Sequence, residues 1–186
     1  MEFTEILCGR YGLSVRAAGV LMRHASQSVH ARKEIIVEEG QRDQEIRFVT
    51  EGSARSYGMR EDKCVILSFA FEGDPTSSTL GAWPGGISGH TIETMEPTTL
   101  VRLPREEIDR LFAADAELAD WGRRMRRAAA PARGVFRRLR MARQERAVQA
   151  HAARIPQLLQ RIALKDLAAY LFVTPQSLSR IRAEIK

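Results

Sequence analysis

The chain has 186 residues, 44% of them hydrophobic and 28% charged, the balance of a globular protein of one or two domains with enough length for a proper core. Its net charge of +6 is divided unevenly: residues 1–120 carry 13 Lys/Arg against 20 Asp/Glu, and residues 121–186 carry 16 against 3. That asymmetry points to a polyanionic partner for the back half, nucleic acid before membrane; no apolar run reaches membrane-span length and no signal-peptide pattern opens the chain, so a cytoplasmic protein is expected.

Residues 1–25 read as helical in at least one piece, with Leu13, Ala17, Val20, Leu21 and Met22 on the buried side. From Ser26 to Leu103 the period changes to two. The short runs are 28–30, 34–37, 47–50, 54–57, 65–71, 91–94 and 99–103, and turn signals such as Glu51-Gly52, Gly73-Asp74-Pro75 and Glu96-Pro97 separate them. Seven or eight strands at this spacing predict a double-stranded β-barrel or sandwich. Pro104 then opens a helix whose first turns hold Glu106, Glu107 and Asp109, as the helix dipole prefers.

A longer helix begins near Asp115. Leu118, Gly122, Met125, Ala129, Ala132, Phe136 and Leu139 alternate in steps of four and three, a heptad seam of roughly three repeats that suits pairing with a second helix. Packing of the same stripe on the chain's own barrel is the competing reading. Pro131 removes a backbone hydrogen bond and predicts a kink or break. Ten arginines fall between Arg123 and Arg146, and part of that charge solvates a helix surface. A further helical stretch, Met141 to Arg154, ends before Pro156.

The last stretch predicts two short helices around a tight turn. Leu164, Leu167, Ala168 and Leu171 form one apolar face. Thr174 is a good N-cap and Pro175 suits the first helical position, where its missing amide hydrogen has no partner in any case. The second helix is expected to bury Leu178, Ile181 and Ile185 and to show Gln176, Ser177, Arg180 and Glu184. That is a helix-turn-helix able to enter a major groove, although an ordinary helix pair has the same spacing.

In this order the segments resemble the CRP/FNR superfamily, the cyclic-AMP receptor protein-like transcription regulators, over nearly the whole chain. The likeness is carried by Arg47-Phe48-Val49-Thr50-Glu51-Gly52-Ser53-Ala54-Arg55, by Phe71-Glu72-Gly73-Asp74, and by Val173-Thr174-Pro175-Gln176-Ser177-Leu178-Ser179-Arg180-Ile181-Arg182. The last string is similar to the recognition helix of a short-tailed branch.

The resemblance implies an α+β chain in three parts: a cyclic-nucleotide-binding-domain-like β-barrel over 1–114, a long dimerisation helix over 115–140 and a C-terminal helix-turn-helix over 141–186. It implies a bacterial cytoplasmic homodimer paired through residues 118–139, bound to double-stranded DNA, with RNA polymerase as a further partner. Gln176, Ser177 and Arg180 match the family's base-reading positions. Arg180 suits guanine O6 and N7, and Gln176 an adenine or another base edge. Thr174, Lys165, Ser179 and Arg182 are expected at phosphates, which position without specifying sequence. Two-fold symmetry implies an inverted-repeat operator with half-sites about 34 Å apart.

Departures from the pattern bear on function. The turn between the two helices usually holds a glycine, where this chain has Phe172, and a bulky residue at positive φ would be strained. Many relatives continue into a β-hairpin wing, whereas this sequence stops at Lys186, so a wing's phosphate contacts are not expected. Cyclic-nucleotide binders close a phosphate cassette with an Arg-Ser pair. Here the loop reads Ser78-Thr79-Leu80-Gly81, then Pro84-Gly85-Gly86-Ile87-Ser88-Gly89-His90. Ser88-Gly89 stands in the place of the cation, and a buried cyclic phosphate without it would be an uncompensated charge. Tight cyclic AMP or cyclic GMP binding is therefore not expected. The effector is unknown, and Trp83, Ser88, Gly89 and His90 are the candidate pocket residues; Trp121 is either a further pocket wall or core.

Other chemistry finds little support. Cys8 and Cys64 lack CxxC companions, and His24, His30, His90 and His151 are not set at metal-ligand spacing. A cupin-like barrel metal, an iron–sulfur cluster and a disulfide framework are not expected, nor is any resident cofactor. No nucleophile–base pair or Gly-rich nucleotide loop stands out, so an enzyme is not expected. The alternative to a DNA-binding regulator is a ligand-sensing or protein-interaction module of the same fold that has lost DNA binding.

Overall fold

A computed structural model of the chain describes residues 2–60, 63–76, 86–125, 161–170 and 174–184. Two helices open it, α1 (Phe3–Gly9) and α2 (Val15–Arg23). Leu13, Ala17 and Leu21 are buried as expected, and Val20 and Met22 are half-buried. Helix α1 adds Phe3, Ile6 and Leu7 to the same core, a contribution the periodicity missed because two turns are too short to show a repeat. Ser14 caps α2 by accepting from the Ala17 N–H at 3.1 Å.

The seven alternating runs are strands β1 (Ser26–His30), β2 (Ile35–Val37), β3 (Glu45–Glu51), β4 (Ala54–Arg60), β5 (Lys63–Ala70), β6 (Thr91–Thr94) and β7 (Thr98–Pro104). They form two sheets, ordered β1-β7-β3 and β2-β6-β4-β5. Strand β7 pairs antiparallel with both β1 and β3, placing Phe48 opposite Val101 and Val49 opposite Leu100. The alternation sorts these side chains between two cores. Ile46, Phe48, Val101 and Leu103 pack with α1 and α2 on one face. Val49 and Leu100 pack with Ala70 on the other, and half-buried Ile36 touches both this cluster and that of Val37, Ala54 and Ile92. Because β3 is covered on both faces, Ile46 to Val49 are buried consecutively.

The β3–β4 turn requires its glycine. Gly52 has φ +89°, and a Cβ there would lie 2.4 Å from the Pro97 carbonyl oxygen, so a side chain is excluded by backbone conformation and by space together.

Helix α3 (Arg105–Ala114) starts one residue later than expected: Pro104 ends β7 and serves as the N-cap. Helix α4 covers 116–125 of the described chain. Asp115 caps it, accepting from the amides of Glu117 at 2.9 Å and Leu118 at 3.2 Å. Arg16 binds both Asp115 and Glu117, and Glu117 accepts from the Ser14 N–H and hydroxyl at 2.6 and 2.8 Å. These bonds tie the start of α2 to the start of α4.

The expected pairing seam is corrected over its first third. Leu118 and Met125 are buried in the core shared with α1, α2 and β3, and the Phe112 ring closes on Gly122 so tightly that a Cβ would meet it at 2.4 Å. These positions are covered within the chain by apolar side chains of α1–α3. Residues 126–139 of the seam, Pro131 and the stretch 141–154 lie outside the described residues. Trp121 packs in the core, stacked on Phe48 with ring centroids 6.2 Å apart and edge-on to Tyr11 and Phe112.

The chain divides into two compact units, one of Met1–Gly58 with Phe69–Ala130, the other of Met59–Ser68 with Pro131–Lys186. Among the described residues no helix is long and apolar enough to cross a membrane.

Candidate nucleic-acid interface and sensing side

In the second unit, α5 (Leu164–Tyr170) and α6 (Pro175–Glu184) pack on one another. The Ala163 carbonyl accepts from the amides of Asp166 and Leu167, both at 3.0 Å, which starts α5. Leu167 and Ala168 are buried and Leu164 half-buried, so the apolar stripe faces inward. Burial pushes the Tyr170 phenol above its ordinary pKa. Lys165 is exposed. Leu171, Phe172 and Val173 lie outside the described residues, as does Ile185.

Helix α6 starts where the sequence signals it. Pro175 is its first residue, and the Thr174 hydroxyl accepts from the Ser177 N–H at 3.1 Å while lying 2.9 Å from the Ser177 hydroxyl. Leu178 is fully buried, and Gln176, Ser177, Ser179 and Arg180 are exposed. Gln176 and Ser177 precede Arg180 by four and three positions, the spacing of neighbours on one helical face. That face offers a fork of guanidinium donors, an amide with both donor and acceptor, and a hydroxyl, the inventory that base edges in a major groove require. The backbone of Arg182 belongs to α6; its side chain and that of Ile181 lie outside the described residues.

At the sandwich, residues 40–43 zip to 86–88: Gly40 N–H donates to the Ser88 carbonyl, Ser88 N–H to that of Gln41, and Asp43 N–H to that of Gly86, each at 2.7 Å. Ser88 is 1% exposed and its hydroxyl donates to the His90 carbonyl, so the side chain closes a bend. Gly89 lies in that bend. Burial lowers the His90 pKa against the opposing pull of Asp43 and Glu39, which favours a neutral ring. Arg47 is a buried cation nearby in sequence, but Asp43 holds it at 2.8 Å and Glu45 at 3.1 Å. Trp83 lies outside the described residues.

Sequence reading also missed a chain of polar contacts: the Ser28 hydroxyl lies 2.8 Å from His30 Nε2, and His30 Nδ1 2.7 Å from Glu34 Oε1. The order is that of a hydrolase triad, and period-two spacing on β1 was its only signal. Its bonds, however, close the turn after β1: Glu34 also accepts from the Ala31 N–H at 2.8 Å, and its own N–H donates to the Thr94 hydroxyl at 2.9 Å. Among the described residues no cluster of His, Cys, Asp and Glu could hold a metal.

No family model matches the sequence, and no curated protein matches it either. Solved structures do. FixK2 from Bradyrhizobium japonicum superposes with a TM-score of 0.71 at 20% identity, covering 87% of this chain and 84% of that one. The c-di-GMP-responsive global regulator CLP of Xanthomonas campestris gives 0.67 at 12%, covering 92% and 91%. The Thermus thermophilus catabolite activator protein gives 0.60 at 18%, covering 99% and 86%. This chain therefore has the CRP/FNR regulator fold, with a cyclic-nucleotide-binding-type β-sandwich.

Proposed function

We propose that this protein is a CRP/FNR-type transcription regulator that binds an inverted-repeat DNA operator as a homodimer. The carrying observation is α6: Gln176, Ser177 and Arg180 share an exposed face while Leu178 is fully buried, in a chain whose fold matches regulators along most of its length. Arg180 and Gln176 read base edges, and Lys165, Ser179 and Arg182 with Thr174 contact phosphates. The second subunit pairs through the remainder of the seam, Ala129, Ala132, Phe136 and Leu139, since Leu118, Gly122 and Met125 are covered within the chain. The protein acts in the cytoplasm, where RNA polymerase is a further partner.

The effector of the sandwich is unknown, and tight binding of cyclic AMP or cyclic GMP is not expected. Residues 77–90 contain no Lys or Arg, Ser88 is engaged with its own bend, and Arg47 is already neutralised. An anionic phosphate in that place would lack a counter-charge.

Selection from a random duplex library with the purified protein, with and without cell extract to supply an effector, tests the reading. A dyad-symmetric motif bound by a dimer, with affinity falling steeply as salt rises, is the expected result. No enrichment in either condition would overturn DNA binding and favour a sensing or interaction module of the same fold.

A further inference from the structure

The start of α6 holds a pair of joined hydroxyls. Thr174 and Ser177 are both exposed, their hydroxyls lie 2.9 Å apart, and the Thr174 oxygen also takes the Ser177 N–H. We propose that Thr174 is a positioning residue that makes Ser177 an acceptor-only reader, so that Ser177 selects the base bearing an exocyclic amine, cytosine or adenine, on the strand it faces. This rests on the DNA-reading role of α6.

The argument is a count of hydrogens and lone pairs. A hydroxyl has one hydrogen and two lone pairs. The Ser177 N–H occupies one lone pair of Thr174, and two ways remain to join the hydroxyls. If Thr174 donates to Ser177, then Ser177 keeps its hydrogen and can donate to guanine O6 or thymine O4. If Ser177 donates to Thr174, the threonine oxygen is filled on both lone pairs and keeps its hydrogen for an outside acceptor. Ser177 then turns two lone pairs outward and has no hydrogen to give.

A phosphate oxygen accepts and never donates. Beside the DNA backbone only the second arrangement lets Thr174 donate to a phosphate, since the first spends its one hydrogen on Ser177. The contact that fixes the protein's position thereby fixes the polarity of a base-reading hydroxyl three residues on. Cytosine N4 and adenine N6 are the major-groove donors that match it.

Library selection with four versions of the full chain tests this: the native protein, Ser177→Ala, Thr174→Gly and Thr174→Asn. Glycine is tolerated as a cap, and circular dichroism checks that each variant is folded. The base pair that Ser177 faces is the one whose preference S177A erases. There the native protein is expected to favour cytosine or adenine over guanine or thymine by roughly 2- to 10-fold, the value of one net hydrogen bond. T174G frees the Ser177 hydrogen and should reduce that ratio to near 1. T174N keeps it, because the asparagine oxygen accepts from Ser177 while its amide donates to phosphate. A native preference for guanine or thymine at that base pair, an unchanged profile in T174G, or an S177A profile identical to native would each overturn the coupling and leave DNA recognition standing. A native protein that enriches nothing, with or without extract, would overturn the DNA reading and this inference with it.

Discussion

Gly122→Ala separates a glycine covered by its own chain from one kept for a subunit seam. The added methyl would sit 2.4 Å from Phe112 Cζ and 2.5 Å from Cε2. The ring is edge-on to Trp121 at 6.2 Å, which limits where it can move. Two terms oppose. Replacing glycine inside a helix gains about 0.8–1.0 kcal/mol in propensity, and overpacking costs about 1–3 kcal/mol. The net effect is a destabilisation between about zero and 2 kcal/mol, too broad alone to decide anything. Repeating the substitution in a Phe112→Ala background removes the clash and leaves the propensity gain, so the double-mutant coupling isolates overpacking at about 1–3 kcal/mol. Urea unfolding followed by Trp121 emission in a Trp83→Phe background reads the core that holds both groups, and sedimentation measures the state of association in parallel. A G122A variant more stable by about 1 kcal/mol in both backgrounds, with an altered state of association, would refute the intrachain assignment.

Arg180→Ala should weaken binding to the selected operator by about 1–3 kcal/mol and relax discrimination at one base pair; unchanged specificity would remove Arg180 from the readout. Titration with cyclic AMP or cyclic GMP should show no tight binding, and a nanomolar dissociation constant by calorimetry would contradict the missing counter-charge. Arg16 and the α4 amides hold the Asp115 carboxyl at about 2, below its ordinary 3.8. The folded-state value is depressed, so its stabilising contribution is complete above the unfolded value and is lost as pH falls from about 4 through 2. Asp115→Asn should flatten the stability profile across that window; an unchanged acid limb would show that the pair with Arg16 does not form in solution.

The strands along the chain and the two C-terminal helices were legible because each depends on local signals. Glu51-Gly52 marks a turn that only glycine can make, and Thr174-Pro175 marks a helix start whose cap bond is present. The exposed residues of α6 could be named from spacing, since a helix with Leu178 inward must turn Gln176, Ser177 and Arg180 to another side. Ser88 was harder. Its identity predicts a polar group in a loop, and only the zipper between 40–43 and 86–88 shows its hydroxyl engaged with His90. The Ser28–His30–Glu34 contacts were missed for the same reason, because their meaning depends on the turn they close.

By itself, then, the sequence determined the kinds of element, the main turns between the strands, the basic bias of residues 121–186 and the exposed face of α6. Periodicity and capping act over a few residues and need no distant partner. Only the tertiary structure decided what covers each apolar face and which polar groups are already bonded. The heptad from Leu118 is equally good at facing a second helix or the chain's own core, and it was Phe112, Trp121 and the helices α1 and α2 that took its first positions. A repeat specifies which side chains point the same way. What they meet is set by elements a hundred residues away.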